Sequence, residues 1–422
     1  MMSCRYEALQ DICAAYQTIQ IPLVGFNGTQ YYPVVTADDM GMYTLIPKIA
    51  SFFSWTLDNT LKYFFNTITL CALLIGLVGL FLLYPSVKQR IISTITLLLI
   101  ASMTSEPLDI YRIAPAITIG LLPFTTYLFA KQIRSKTTPA FLFFAGLIIG
   151  FGNTLRTHAG TPIFFFIAIM IIFEAISSRR KIIFCTLLLS GLAMSKLYFS
   201  HQYKLYTQYI EHHYPDTPCD QGTHIFWHAV YLGFGFLENQ YHITFDDNLA
   251  KERVSKATHE TIYPSEKSEH FLKNEVITLI KTNKKFVLYT LFSKIGILLL
   301  FLLAFANIGM LCALLPPYDW KTLAAWIVAL AFSALPGMLV IPRENYMFGF
   351  ITLACLFGLN YVNRRNNLLY SLLFIGIEAV ACHILSIEQG LRLLLIYSLP
   401  FYCCLGLTIL FLHFITKQVR LQ

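Results

Sequence analysis

Charge is scarce in this chain. Asp, Glu, Lys and Arg together make up 13% of its 422 residues, where a soluble domain carries about 25%. That deficit excludes an ordinary soluble enzyme. Short strands of alternating hydrophobicity are also missing, which excludes a transmembrane β-barrel. The ten cysteines form no CxxC pair, so a zinc site of that kind is not expected. HExxH is absent, and with it that form of metalloprotease centre. Residues 1–30 hold no apolar run of the length a signal peptide needs. No internal repeat and no low-complexity tract is visible.

What the chain has is apolar length. Hydrophobic residues make up 56% and aromatics 15%. About eleven stretches are long and apolar enough to cross a bilayer, which takes roughly 20 residues as helix. They fall near 63–84, 91–105, 112–130, 138–154, 161–177, 182–199, 286–313, 321–340, 347–362, 368–386 and 393–415. The expected fold is all-α, a polytopic helical bundle with an outer amphipathic loop and a small outer cap. Four regions follow: an outer N-terminal segment at 1–62, a first bundle at 63–199, an outer segment at 200–285 and a second bundle at 286–422.

The loops between the spans are of two kinds, and they alternate. One set holds Lys88 and Arg90; Lys131, Arg134 and Lys136; Arg179, Arg180 and Lys181; Lys321; Arg364 and Arg365; Lys417 and Arg420, with Asp319 as its main acid. The other holds Asp38, Asp39, Glu106, Asp109, Glu344, Glu388 and the long 200–285 segment. The excess of Lys and Arg places the first set in the cytoplasm. The formal charge of +8 then needs no nucleic-acid partner, because the basic loops account for it and attract anionic lipid headgroups. The N-terminal 60 residues lie outside. An exported segment needs a signal or a span before it, so an additional membrane helix upstream of Met1 is expected. Of the cysteines, Cys4, Cys13 and Cys219 lie outside the spans, and a disulfide would have to join two of these three.

The candidate chemistry clusters on the outer side. Asp38 and Asp39 precede an amphipathic stretch at 43–57. They are either helix caps or a general base toward an acceptor hydroxyl or amine. Glu106 and Asp109 lie at a helix start, as first-turn charges or as walls of the same cavity. Arg156 and His158 sit in Asn153-Thr-Leu-Arg-Thr-His-Ala-Gly-Thr-Pro between two apolar spans. An arginine there either snorkels to headgroups or grips a phosphate with its planar fork. Arg343 and Tyr346, in Ile341-Pro-Arg-Glu-Asn-Tyr, repeat the theme. His224 and His228 share one face if helical, as two metal ligands would. The aromatic and glycine content around them reads better as an interfacial loop that would pack over a sugar. Asp246 and Asp247 are a helix cap or further carboxylates of the site. Helical runs are expected at 203–213, 247–260 and 266–283.

Taken in order, these motifs resemble the C-type glycosyltransferases. These are polytopic enzymes using polyprenyl-phosphate sugars, among them the protein mannosyltransferases and aminoarabinose transferases. Asp38-Asp39, with Met40-Gly41 and Tyr43 after it, resembles their acidic first outer loop. Asp109 matches a second outer acid. Gly152-Asn-Thr-Leu-Arg156, leading to Pro162, resembles a Gly/Arg/Pro run of altered spacing. Pro342, Arg343 and Tyr346 resemble a late Pro-Arg-x-x-Tyr, and the His224–Asp247 segment resembles bacterial membrane proteins grouped with these enzymes. The departure is the missing first helix.

The resemblance implies a bacterial inner-membrane enzyme with a periplasmic active site, a lipid-linked sugar donor, and a lipid, glycan or protein acceptor. Asp38, Asp39 and Asp109 would be catalytic. Glu106, Arg156, His158, His224, His228, Arg343 and Tyr346 would bind substrate. No cofactor is required, although some relatives use a divalent metal. The competing expectations are a transporter or flippase of a lipid-linked substrate, for which Lys294 and Glu378 are the mid-span ionisable groups, and a non-catalytic membrane assembly protein.

Overall fold

The computed structural model describes residues 2–34, 39–105, 108–214, 226–259, 265–316, 319–387, 389–394 and 396. Over these the chain is a helical bundle. Nine helices are long and apolar enough to span a membrane. They are α3 (Leu57–Leu83), α4 (Val87–Thr104), α5 (Ile113–Tyr127, extended at both ends to Ile110–Gln132), α6 (Thr137–Leu155), α8 (Ser178–His213), α12 (Lys284–Ala313), α13 (Trp320–Leu339), α14 (Glu344–Arg365) and α15 (Leu368–Leu385). This is a multi-pass membrane protein. The stretch expected at 161–177 forms only α7 (Thr161–Phe173). Thirteen residues rise about 20 Å, short of the roughly 30 Å hydrocarbon core. The eleventh expected span, 393–415, falls almost wholly outside the described residues.

The spans start and stop for local reasons. Thr56 caps α3 and Asn367 caps α15, each side chain accepting a free backbone N–H of the first turn. At the end carrying the basic loops, cations close the open carbonyl ends. Lys131 donates to the carbonyls of Leu82 and Leu83, Lys181 to that of Ile172, and Arg365 to those of Cys312, Leu315 and Pro316. Helix C-termini carry unsatisfied carbonyls and negative dipole ends, so this is where cations belong. Lys88 reaches the Asn366 carbonyl, and Arg364 pairs with Asp319 at 3.0 Å. The basic loops are thus tied to one another at one end of the bundle, the basic end.

Helices α5 and α14 are the most enclosed spans, while α3, α8 and α15 turn broad apolar faces outward. Leu70, Leu74, Val78, Leu189 and Leu197 are exposed there, as lipid-facing side chains are. Helices cross closely where small residues permit it. A Cβ on Gly146 of α6 would lie 2.1 Å from the Leu188 carbonyl oxygen, and one on Gly191 of α8 would lie 2.1 Å from that of Phe143. Backbone contact of this kind is how helices pack without a hydrophobic driving force.

The opposite, acidic end carries two structures. The first is N-terminal: α1 (Met2–Ile19), a hairpin of β1 (Val24–Phe26) and β2 (Tyr31–Pro33), and α2 (Met40–Phe53). Helix α2 is the expected amphipathic stretch. Helix α1 was not anticipated. It buries Leu9, Ile12 and Ala15, Tyr6 Oη donates to Asp58 of α3 at 2.8 Å, and Tyr32 Oη of the hairpin donates to Asp11 at 2.5 Å. Cys13 of α1 is a free, half-buried thiol, its pKa pushed up to about 12 by burial, so no disulfide runs through it. The second structure is the cap: the upper part of α8, then α9 (Phe226–Gly233), α10 (Asp247–Thr258) and α11 (Glu266–Thr282). The helical runs expected at 203–213, 247–260 and 266–283 are all present. The first of them is the continuation of the α8 span.

Candidate functional site

Helix α2 lies along the acidic end because Gly41 lets it. A Cβ at Gly41 would sit 2.7 Å from the backbone of Thr154, so α2 rests directly on the end of α6. Lys48, one face further along, donates to Gln202 and, at 3.3 Å, to Tyr198 of α8. This docking fixes Asp39, the residue before α2. Asp39 makes no side-chain cap to that helix. Its carboxylate faces Arg5 of α1 instead, whose Nε donates to Asp39 Oδ2 at 2.5 Å.

Asp109 meets the same arginine. Arg5 Nη1 donates to both Asp109 oxygens at 3.2 Å, and Asp109 Oδ1 also accepts the Ile110 N–H at 2.6 Å. Both carboxylates are almost fully buried. Burial alone would lower the Arg5 pKa, but the charges of Asp39 and Asp109 outweigh it and raise the value above its ordinary level. Two acids 70 positions apart in sequence are therefore joined through a residue to which no role was assigned. Tyr43 of α2 and Tyr111 border this cluster. Burial, with Asp39 next, raises the Tyr43 hydroxyl well above the ordinary phenol range.

Tyr111 links the acids to the arginine of the α6–α7 loop. Arg156 ends α6 in extended backbone, φ −149° and ψ 117°. The turn behind it is closed by Asn153 Oδ1, which accepts the Gly160 N–H at 2.7 Å, and by the Ala159 N–H donating to the Arg156 carbonyl at 3.0 Å. His158 sits in that turn in the left-handed region, φ 66°, and is exposed. The Arg156 guanidinium lies over two rings, Tyr111 at 5.2 Å and Tyr346 at 5.5 Å, which themselves meet edge to face at 5.2 Å. No carboxylate pairs with Arg156 among the described residues. A cavity of about 60 Å³ opens here, lined by Tyr111, Arg156, His158, Ser333, Asn345 and Tyr346.

The cap closes over this position. Phe245 packs toward Tyr346 at 6.4 Å and under Arg343 at 5.2 Å. Arg343 is exposed and has no carboxylate partner among the described residues. Asp247, at the start of α10, lies within electrostatic reach of Tyr346. His228 is buried, its Nε2 2.9 Å from Asp247 Oδ1. That hydrogen bond holds the Asp247 carboxyl below its ordinary value, against the opposing effect of burial. Glu269 of α11 accepts the backbone N–H groups of Trp227 and His228 at 2.7 and 2.9 Å, capping α9. His228 thus ties α9 to α10. Among the described residues no three His, Cys, Asp or Glu side chains converge as metal ligands would.

A second cavity, of about 360 Å³, runs along the membrane side of the same helices. Leu45 of α2, Phe64 of α3, Ile113 and Leu121 of α5, and Leu147 and Leu155 of α6 line it, and every lining residue is apolar, Cys or Gly. Along α5 it extends from Ile113 to Leu121, about 12 Å of helix rise. Its upper end starts four residues after Asp109 and one before Arg156. Beside it Arg112 is buried, its Nη1 donating to Asn66 at 2.9 Å and its Nε unpartnered.

Of the sequence candidates, the structure therefore brings Asp39, Asp109, Arg156, His158, Arg343, Tyr346 and His228 to one end of the bundle. Asp38, Glu106 and His224 lie outside the described residues. Arg5, Tyr111 and Arg112 are additions. Lys294 lies toward the same end but is already engaged: its Nζ donates to the carbonyls of Met338 and Val340 at 3.0 and 2.8 Å, closing the end of α13. No known protein family, curated protein or solved structure matches the chain.

Proposed function

We propose that the protein transfers a sugar from a polyprenyl-phosphate donor to an acceptor at the outer face of the membrane. The observation that carries this reading is Arg156, a guanidinium without a carboxylate partner among the described residues, held between Tyr111 and Tyr346 at the head of an apolar groove. Such an arrangement suits a ligand with a charged head and a long apolar tail. The tail lies in the groove. The phosphate lies at Arg156, with Arg343 on the cap side, because guanidinium binds phosphate through paired, charge-assisted hydrogen bonds.

The reaction is a substitution at the anomeric carbon. Asp39, or Asp38 beside it, takes the proton from the acceptor, and the acceptor oxygen or nitrogen bonds to the anomeric carbon. The bond from that carbon to the phosphate oxygen breaks, and the departing phosphate keeps the electron pair. The arginines stabilise the charge that develops there. Asp109 and Glu106 orient the acceptor. In this scheme the acceptor displaces Arg5 from Asp39, and Asp109 retains the guanidinium.

The test is transfer of labelled sugar from a panel of polyprenyl-phosphate hexoses and pentoses by purified variants that remain monodisperse. Asp39→Asn should lower turnover by roughly 10²–10³ while leaving donor binding intact. Arg156→Ala should weaken donor binding first, and Arg156→Lys should restore it only in part because the fork is lost. Translocation of intact lipid-linked sugar without transfer would favour a flippase. Near-wild-type turnover in both Asp38→Asn and Asp39→Asn would overturn the base assignment.

A further inference from the structure

Far from this site, in the half of the bundle toward the basic end, one acid has no role in the proposed transfer. Glu378 of α15 is fully buried, and among the described residues neither carboxyl oxygen has a partner at hydrogen-bond geometry. It lies ten residues from the start of α15, about 15 Å by helix rise and so near the middle of the membrane. Its neighbours are Thr96 of α4 and Cys355 of α14, with Cys382 one turn further along α15. Helix α12 also packs on α15. Between Lys294, which is occupied at the other end, and Cys312 it contains no titratable residue. Among the described residues no cation pairs with Glu378.

The acid is not isolated from the basic end. A file of buried polar side chains leads to it between α4 and α14. Gln89 Nε2 donates to the Asn363 carbonyl at 2.7 Å, and Asn363 Nδ2 donates to Ser93 Oγ at 3.1 Å. Tyr84 Oη donates to Asn360 Oδ1 at 3.2 Å. Ser93 and Thr96 are three apart on α4, and Asn360 and Asn363 are three apart on α14, so each pair shares a helix face. Along this file Asn363 Oδ1, Asn360 Nδ2 and Thr96 Oγ1 are buried and hold no partner among the described residues. Polar groups in the hydrocarbon region are costly unless they serve a polar path.

We infer that Glu378 is a proton-binding site reached from the basic end of the bundle along Asn363, Ser93, Asn360 and Thr96. The ligand follows from the donor set. Calcium or magnesium takes six or more oxygens. The protein offers here the two oxygens of Glu378 and one hydroxyl. A proton needs one oxygen, and it removes the charge that the membrane interior disfavours. The step is uptake of a proton by a Glu378 carboxyl oxygen from water at the basic end, and its return by the same path; no other bond changes. Such a site would make the packing of α4, α14 and α15 responsive to the pH on that side alone.

The test is infrared difference spectroscopy of the purified full chain against Glu378→Gln at neutral pH, in light and heavy water. The expected result is a carboxylic-acid C=O band that is lost in Glu378→Gln and shifts in heavy water. In Asn360→Leu/Asn363→Leu the shift should develop more slowly. Thr96→Val should move the band without abolishing it, so the assignment can be read even if Glu378→Gln fails to fold. A carboxylate band in place of the acid band, or isotope exchange at the wild-type rate in the leucine pair, would overturn the proposal.

Discussion

At the scale of single residues, the acidic end is organised by arginines that differ in what they already hold. Arg5 is occupied by Asp39 and Asp109; Arg156 and Arg343 rest on aromatic rings. The first is a structural clamp, and the second kind pairs with no carboxylate among the described residues. Replacing Arg5 by Gln should cost about 1–3 kcal/mol, since two buried carboxylates lose a charged donor. Combining it with Asp39→Asn should cost less than the sum, and thermal unfolding of the four proteins of that cycle in detergent measures the coupling. Strict additivity would dissociate the pair. The candidate acids and the two ring-bound arginines were legible in the sequence because polar groups at span ends stand out against apolar runs. Arg5 was not. Nothing local in the first helix signals a partner 34 or 104 positions away, and only the packed fold supplies that pairing.

At the scale of elements, two dockings position the site, α2 on α6 and the cap on α14. Gly41→Val would drive a side chain into the Thr154 backbone, 2.7 Å from the Cβ position. The expected cost is about 1–3 kcal/mol, together with a fall in turnover as Asp39 shifts. An unchanged melting temperature would mean that α2 is not held by this contact. The cap responds to acid. The His228 hydrogen bond lowers the folded Asp247 carboxyl below its ordinary 3.8, so its stabilisation is complete above that pH and is lost as the pH falls through the folded value. Protection of backbone amides in α9 and α10 against hydrogen exchange, taken relative to the intrinsic rate at each pH, should therefore fall as the pH drops below that ordinary value, and Asp247→Asn should flatten that dependence. The cap helices at 247–258 and 266–282 were legible as helical runs, the first with Asp246 as its cap; the Ser265 cap of the second is seen only in the structure. Helix α1 was not, because its sequence is neither strongly apolar nor strongly amphipathic. Its place comes from the surfaces it covers. Helix α7 ends at Phe173, short of the 177 expected, since apolar run length alone cannot show where a helix stops.

At the scale of the whole molecule, the described members of the two kinds of loop seen in the sequence lie at opposite ends of the bundle, and the described residues of the candidate site lie at the acidic one. Under the positive-inside rule we propose that end as the outer face. In a background without native cysteines, Lys273→Cys in the cap should react with an impermeant maleimide in intact cells. Lys136→Cys at the basic end should react only after permeabilisation, and the reverse pattern would invert the molecule. The central claim is that this outer site holds a lipid-linked sugar through its phosphate. The most direct measurement is mass spectrometry of the lipid that co-purifies with the protein. A polyprenyl-phosphate sugar should accompany the wild type and be lost from Arg156→Ala at equal folding. Its retention by Arg156→Ala, or phospholipid alone on the wild type, would contradict the account.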